Sequence, residues 1–411
     1  MAARAASVEA CSAPAAGNYP TLFASYVVRS AATLQRRLAA GGAFSQEEFA
    51  RQRSHALHVL TFALGPDDAW PAARDLLLTL VEPMEQAGAR REWLPFLTRG
   101  VARSQALTDR SAEAALSLCI GHLLRLTSDF DAAQQWLAAA FHGFRALGDD
   151  AGAARTLNQL AYVDCLLHRP MQAQARAGAA LALLPEDAAE RAMSYFVLGM
   201  VAGERWQWGE AEMHHRAALA IRQQQGDARR IAWAQQNVGY ALQGQARYAE
   251  AITCLTAAAA TLDSLGDAAN AAIVRMNLAR TYHLDGQLRL ALTTGLAAHQ
   301  ALYTVGDQLH LARLASNLGL THLALGDATA ALTAFQESVS LFTDLGNAAG
   351  RLNASSGVAM AYLACGDYAG AAAVLAPALD ELAPLENVPG KAALLDAMRE
   401  NLATAQAALH T

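Results

Sequence analysis

The chain has 411 residues and a formal net charge of −6, with 54% hydrophobic and 7% aromatic residues. This hydrophobic content excludes a disordered chain, and the negative charge argues against general nucleic-acid binding through the phosphates. The five cysteines are widely spaced and contain no Cys-x-x-Cys pair, so neither a disulfide framework nor a zinc site is predicted. Lys391 is the only lysine among the 31 basic residues, a bias typical of GC-rich bacterial genomes.

The N-terminal residues 1–17 are rich in alanine and lack a basic start followed by a strongly apolar run. They predict a disordered tail rather than a signal peptide. No stretch of the chain reaches the roughly 18 uninterrupted apolar residues that a membrane helix needs. We therefore expect a cytoplasmic protein without a membrane span.

Residues 18–110 predict an irregular N-terminal helical cap. Apolar residues at helical spacing indicate two helices within residues 18–65, a third over 68–88 and a fourth over 90–105. These segments contain no repeated motif, so they are expected to pack on the N-terminal end of the helical structure that follows them.

Residues 111–385 predict an array of about seven helix pairs, because one pattern recurs every 40 residues over most of this range. Five alanines mark the period, namely Ala211, Ala251, Ala291, Ala331 and Ala371. A Gly-Asp or Gly-Asn dipeptide recurs with the same spacing from positions 226, 266, 306 and 346, and the spacing shortens to 38 residues upstream. A fixed period of 20–50 residues indicates a solenoid, in which each unit buries its apolar stripe against its neighbours.

The residues of one 40-residue period predict two helices and the turns that connect them. Gly226 is expected to end one helix and Asp227 to cap the next, which the apolar spacing predicts over residues 228–243. A second helix is predicted over residues 247–264. Each unit is therefore an antiparallel helix pair, and large apolar residues fill the seams between units: Leu262, Leu302, Phe342 and Leu382. Residues 386–411 predict a C-terminal capping helix.

The unit resembles a tetratricopeptide repeat in its helix–turn–helix layout, with a small residue at Gly239 and an alanine at Ala251. The 40-residue period, with Asn-Leu-Gly and a closing Leu-Gly-Asp, is similar to the longer subtype found in kinesin light chains, spindle-orientation adaptors and maltose-activator-type bacterial sensors. The resemblance implies an all-α fold, a right-handed α-solenoid of antiparallel helix pairs. Residues upstream also resemble the helical start of sensor regions in bacterial signal-transduction ATPases, although this chain has no phosphate-binding loop.

In these families the first helix of each repeat lines a concave groove, and the asparagine of Asn-Leu-Gly binds a peptide backbone. The resemblance places this role on Asn237, Asn277 and Asn317, whose amides offer both a donor and an acceptor. Positions 197 and 357 lack the asparagine, so the ladder is expected to be short, with Gln159 as a candidate extension. The alternative role for these amides is a structural tie between neighbouring repeats.

The same helix face supplies further candidate peptide-binding residues: Trp233, Gln236, Tyr240, Arg280, His283 and Arg313. The two arginines are suited to an acidic side chain or a C-terminal carboxylate, and the two aromatic residues to an apolar side chain. The alternative is that all six are ordinary surface and seam residues of a long solenoid.

The sequence contains no catalytic or metal-binding constellation above background. His55 and His58, and the adjacent His214 and His215, have no third ligand at metal spacing. We therefore expect no enzyme activity, no metal and no cofactor.

The preferred interpretation is a scaffold or regulatory adaptor that binds a protein or an extended peptide in its concave groove, with no nucleic-acid or membrane partner. Two alternatives stay open. One is a small-ligand or signalling-peptide sensor whose binding changes the pitch of the solenoid, which a compact pocket among Trp206, Trp208, Trp233 and Tyr240 would favour. The other is a self-associating structural protein, which an exposed apolar end helix would favour.

Overall fold

The computed structural model describes residues 19–39, 46–86, 88–385, 388 and 390–410, which contain nineteen α-helices and no strand. The predicted disordered tail lies outside the described residues. The first seven helices are α1 Tyr19–Ala39, α2 Gln46–Ala63, α3 Trp70–Gln86, α4 Arg90–Ala106, α5 Arg110–Leu126, α6 Phe130–Leu147 and α7 Asp150–Leu166. The next six are α8 Pro170–Leu183, α9 Arg191–Glu204, α10 Trp208–Gln225, α11 Ala228–Gly244, α12 Tyr248–Ser264 and α13 Ala268–Leu284. The last six are α14 Leu288–Val305, α15 Gln308–Ala324, α16 Ala328–Asp344, α17 Ala348–Ala364, α18 Tyr368–Leu382 and α19 Lys391–Leu409.

The chain divides into two compact units, Met1–Val163 (unit 1) and Asp164–Thr411 (unit 2). Within unit 2 each helix from α8 to α19 packs against the next one along the chain. The first helices of successive pairs also contact one another, from α9 through α11, α13, α15 and α17 to α19. The predicted all-α solenoid of helix pairs is therefore confirmed. The boundaries predicted at residues 110 and 385 follow repeat regularity and stay a prediction.

The helix ends of unit 2 follow from the repeated Gly-Asp dipeptides. Gly226 ends α10 in the left-handed conformation, with a φ of +72°, which glycine adopts without the steric cost of a Cβ atom. The Asp227 carboxylate then accepts a hydrogen bond from the Arg230 backbone amide at 3.1 Å and starts α11. The observed α11 and α12 agree with the predicted helices to within one residue at each end.

Small residues in unit 2 allow the paired helices to approach closely. A Cβ atom on Gly239 would lie 2.9 Å from Leu255 Cγ, and one on Gly319 would lie 2.8 Å from the Phe335 ring. The periodic alanines at positions 211, 251, 291, 331 and 371 are all buried. The predicted seam residues Leu262, Leu302, Phe342 and Leu382 are buried as well. The period therefore reflects a repeated packing requirement between the two helices of a pair.

The two ends of the described chain are helical, as predicted. Helices α1 to α4 correspond to the four helices expected within residues 18–110. At the other end α19 buries Met398 and Ala405 in a cluster with α17 and α18. None of the helices among the described residues is long and apolar enough to cross a membrane.

Candidate functional site

A groove in unit 2 runs across the first helices of four successive pairs. It encloses about 340 Å³ and is lined by residues of α11, α13, α15 and α17, with one residue from α16. The lining consists of Tyr240, Gln243, Met276, Asn277, Arg280, Arg313, Ser316, Asn317, Phe342 and Asn353. Because first helices contact each other along the row, their shared face forms one continuous surface rather than separate pockets.

The helical period decides which residues reach this surface. On α13, Ala271, Val274 and Leu278 are buried in a cluster with the neighbouring helices. Asn277 lies about 60° around the helix from Val274 and is half-buried, whereas Arg280 lies about 120° or more from all three core positions and is exposed. The core positions therefore fix the rotation of the helix, and that rotation presents the polar residues to the groove.

Five of the nine predicted binding residues line this groove: Tyr240, Asn277, Arg280, Arg313 and Asn317. The other four lie outside its lining: Trp233, Gln236, Asn237 and His283. The Asn237 amide donates to the Trp233 carbonyl of its own helix at 2.9 Å. Gln159, the candidate extension, belongs to unit 1, where its side-chain oxygen accepts from Arg125 at 3.2 Å.

The side chains of Asn277 and Asn317 differ from that of Asn237. Both are half-buried, and neither makes a hydrogen bond within the described part of the chain. A structural tie between repeats would require such a bond, because a buried amide without a partner is costly. Their donors and acceptors instead face the groove.

Two other hydrogen bonds tie neighbouring first helices together beneath the groove. Gln243 Nε2 donates to Thr281 Oγ1 at 2.9 Å, and His283 Nδ1 lies 3.2 Å from Thr321 Oγ1. Each threonine hydroxyl donates to a backbone carbonyl of its own helix, Thr281 to Asn277 and Thr321 to Asn317. Since its one proton is used there, the Thr321 oxygen accepts, and His283 Nδ1 is the donor.

His283 is thus part of an inter-repeat tie, although it was expected beside the ligand. Burial lowers the pKa of His283, and the positive charge of Arg280 lowers it further. Both effects favour the neutral ring, whose single proton on Nδ1 matches the bond to Thr321. The bond links α13 to α15 through two residues that lie outside the groove lining.

The charge of the groove is positive. Arg280 and Arg313 both line it, no carboxylate does, and neither arginine makes an ion pair within the described residues. The nearby Asp307 caps α15 and bonds His310 Nδ1 at 2.8 Å, and it interacts with Arg313 only through longer-range electrostatics. The groove therefore presents two guanidinium groups beside neutral amides.

An aromatic string leads from the groove to a helix turn. Tyr240, which lines the groove, contacts Trp208 edge to face with 5.5 Å between ring centroids. Trp208 in turn contacts Trp206 at 5.7 Å. Trp206 is 75% exposed and has a left-handed φ of +62°. Among the described residues Trp233 makes no ring contact with these three, so the ring contacts form a row of three rather than a cluster of all four residues.

Five lining residues were not among the nine predicted binding residues: Gln243, Met276, Ser316, Phe342 and Asn353. Met276 and Ser316 lie one and two periods after the predicted Gln236, and Asn353 lies one period after Arg313, so the repeat spacing contained the signal for these three. From the sequence, Gln243 was predicted only as the last residue of a helix, and Phe342 as a seam residue between units. Their access to the groove depends on helix rotation, which spacing alone does not determine.

No metal-binding cluster of histidine, cysteine or carboxylate side chains occurs among the residues that the structure describes. The two histidine pairs singled out from the sequence lie apart from the groove lining.

No protein-family model and no curated protein matches the sequence. Solved structures do match. A Rap protein complexed with competence and sporulation factor superposes with a TM-score of 0.61 at 16% identity, covering 94% of this chain and all of that one. A signal-transduction ATPase with a tetratricopeptide repeat sensor, from Pyrococcus horikoshii, gives 0.58 at 14% identity, covering 88% of this chain and 56% of that one.

A third similar structure is NprR in complex with its cognate peptide NprX, with a TM-score of 0.51 at 13% identity over 69% of this chain and 81% of that one. Identities this low show a shared fold. The chain therefore shares the helical-repeat fold of these structures, in agreement with the helix-pair repeats that the 40-residue period predicted.

Proposed function

We propose that this protein is a non-enzymatic peptide-binding regulator or adaptor, and that an extended peptide binds in the groove of unit 2. The observation that carries the proposal is the pair of half-buried amides, Asn277 and Asn317, which line one groove without a protein partner. An amide of this kind donates to and accepts from a peptide backbone, whose polar groups must be paired when they leave water.

The proposal assigns direct contact with the peptide to the five predicted residues that line the groove. Asn277 and Asn317 bind the backbone, and Tyr240 packs against an apolar side chain. Trp233, Gln236 and Asn237 lie outside the groove lining and are proposed to contact only a ligand that extends beyond it. His283 is proposed to act indirectly, through its bond to Thr321.

The structural neighbours support a regulatory role. A Rap protein complexed with competence and sporulation factor and NprR complexed with its cognate peptide share the fold of this chain. By analogy, the partner here is a peptide or a peptide-like protein segment, and a signalling peptide is included in that class. The protein is proposed to act in the cytoplasm, with no cofactor.

The test begins with selection of displayed 12-residue random peptides on the purified protein, followed by calorimetric titration with the best binder. We expect one-to-one binding that weakens at least tenfold in the Asn277→Ala, Asn317→Ala double variant, since each lost amide leaves backbone groups unpaired. Gln300→Ala is the matched control, because Gln300 is an exposed amide on the second helix α14.

Circular dichroism establishes that each variant keeps its helical content. Equal affinity of wild type and double variant would place the peptide elsewhere and remove the groove proposal. Selection that yields no binder would contradict a peptide-binding role.

A further inference from the structure

We propose that the groove is specific for acidic peptides, and that a ligand carboxylate binds between Arg280 and Arg313. This inference rests on the proposed peptide-binding function and adds the chemical class of the ligand. It depends on two arginines that line the same groove and make no ion pair among the described residues.

Most arginines near the groove are already paired with carboxylates. Arg229 bonds Asp267 at 2.8 Å, and Arg247 bonds Glu212 at 2.6 Å. Arg275 pairs with Asp263 in the same way. Arg280 and Arg313 make no ion pair within the described residues, although the protein as a whole has more acidic than basic residues. Two guanidinium groups without a direct ion-pair partner among the described residues thus line one groove, and the carboxylate that interacts with Arg313 at longer range is Asp307.

The repeat provides no structural reason for arginine at either position. One period away from Arg280 the residues are Tyr240 and Leu320. One period away from Arg313 they are Ile273 and Asn353. Packing of the helix pairs therefore does not require arginine there. The two arginines, which occupy different positions of the repeat, come together only because α13 and α15 are neighbours.

The remaining groove lining suits a carboxylate that belongs to a peptide. A guanidinium group binds a carboxylate through two parallel hydrogen bonds, which lysine does not reproduce. The adjacent Asn277, Asn317 and Ser316 are neutral, so they neither repel an acidic group nor compete for the arginines. The groove continues across four first helices to Tyr240, which provides length for several residues beside the charged one.

The test uses two libraries of random heptapeptides on beads, one with free and one with amidated carboxyl termini, sorted by binding of the fluorescently labelled protein. We expect retained beads to be enriched in aspartate and glutamate, or to come mainly from the free-carboxyl library. The first result assigns the arginines to an acidic side chain, and the second to the peptide C-terminus.

A selected peptide is then titrated against single variants. We expect Arg280→Gln and Arg313→Gln each to weaken binding at least tenfold, and Arg280→Lys to restore only part of the loss. Arg289→Gln is the control, because Arg289 is an exposed arginine on the second helix α14. Replacing the ligand carboxylate by an amide is expected to produce the same loss, and no further loss when combined with the arginine variants.

Three results would overturn the inference, and they have different consequences. Retention of neutral or basic peptides would refute the acidic specificity while the peptide-binding function stands. Displacement of the peptide by succinate at equal concentration would indicate a small-anion site instead. Absence of any retained peptide would contradict both the inference and the proposed function.

Discussion

At the scale of single residues, His215 is a histidine at a repeat position that is otherwise occupied by large apolar residues in several repeats. One, three and four periods later the equivalent residues are Leu255, Phe335 and Leu375, all buried. His215 is itself 3% exposed, and its Nδ1 has no hydrogen-bond partner in the structure. Burial lowers the pKa of His215 to about 4, and the neighbouring His214 contributes to the shift. The ring is therefore neutral in the folded protein.

This burial predicts an acid-sensitive step in stability. The unfolded histidine has a pKa near 6.5, so the unfolded state binds the extra proton first as pH falls. The contribution of the neutral His215 ring to the free energy of unfolding is fully present above pH 6.5 and is lost progressively between pH 6.5 and about 4. This contribution is about 3 kcal/mol.

The prediction is that His215→Leu removes this loss. The difference in unfolding free energy between variant and wild type, measured by urea titration, is expected to grow as pH falls from 7.5 to 5. His142→Leu replaces an exposed histidine of α6 and is expected to show no such growth. A constant difference across that range for His215→Leu would refute the assignment.

At the scale of elements, the turns between the two helices of a pair require a left-handed residue. Glycine fills the position at Gly286, Gly326 and Gly366, whereas Ala246 and Trp206 fill it earlier in unit 2. A Cβ atom in this conformation costs about 1 kcal/mol or more. Ala246, with a φ of +57°, is exposed and makes no compensating aromatic contact.

Ala246→Gly is therefore expected to stabilise the protein by about 0.5–1 kcal/mol, because the relief of strain exceeds the added entropy of the unfolded chain. The reverse change, Gly286→Ala, is expected to destabilise it by a similar amount. Thermal unfolding of the Ala246→Gly and Gly286→Ala variants measures both changes in stability. A loss of stability in Ala246→Gly would show that the turn is unstrained.

The exposed, left-handed Trp206 carries the same backbone cost while it contacts Trp208. Strain of this kind concentrates at functional positions. The aromatic string at the end of the groove is consistent with the proposed binding of an apolar ligand side chain beside the arginines.

At the scale of the whole molecule, the stability of unit 2 is a sum over contacts between neighbouring helix pairs. The last described helix, α19, buries Met398 against α17 and α18. Lys391 Nζ also donates to the carbonyls of Ala383 and Leu385 at 2.7 Å and secures the start of the same helix. The one lysine of the chain is thus a structural residue.

Met398→Asp is expected to detach α19, because an unpaired carboxylate would occupy a fully buried site. Amide hydrogen exchange should then lose protection in α17–α19 before α11–α13, since repeats contact only their neighbours. Glu400→Asp, a charge-conserving change on the exposed face, is the control. Uniform loss of protection across unit 2 would instead indicate a single cooperative core.

Much of the fold was predictable because the same contacts, within one helix pair and between adjacent pairs, recur in each repeat. The Gly226-Asp227 junction determines where α10 ends and α11 begins, and the 40-residue period implies that each pair stacks on the next. The predicted ladder of three asparagines stays a prediction, and their side-chain environments differ. Asn237 bonds its own helix, whereas Asn277 and Asn317 face the groove.

The sequence alone was sufficient to establish the repeat, its helix boundaries and the buried small residues, because all three follow from interactions within one pair or between adjacent pairs. Tertiary structure decided which polar residues share the groove. Arg280 and Arg313 are 33 residues apart and occupy different repeat positions, so only the packing and rotation of α13 against α15 bring them together. The same rotation places His283 Nδ1 3.2 Å from Thr321 Oγ1.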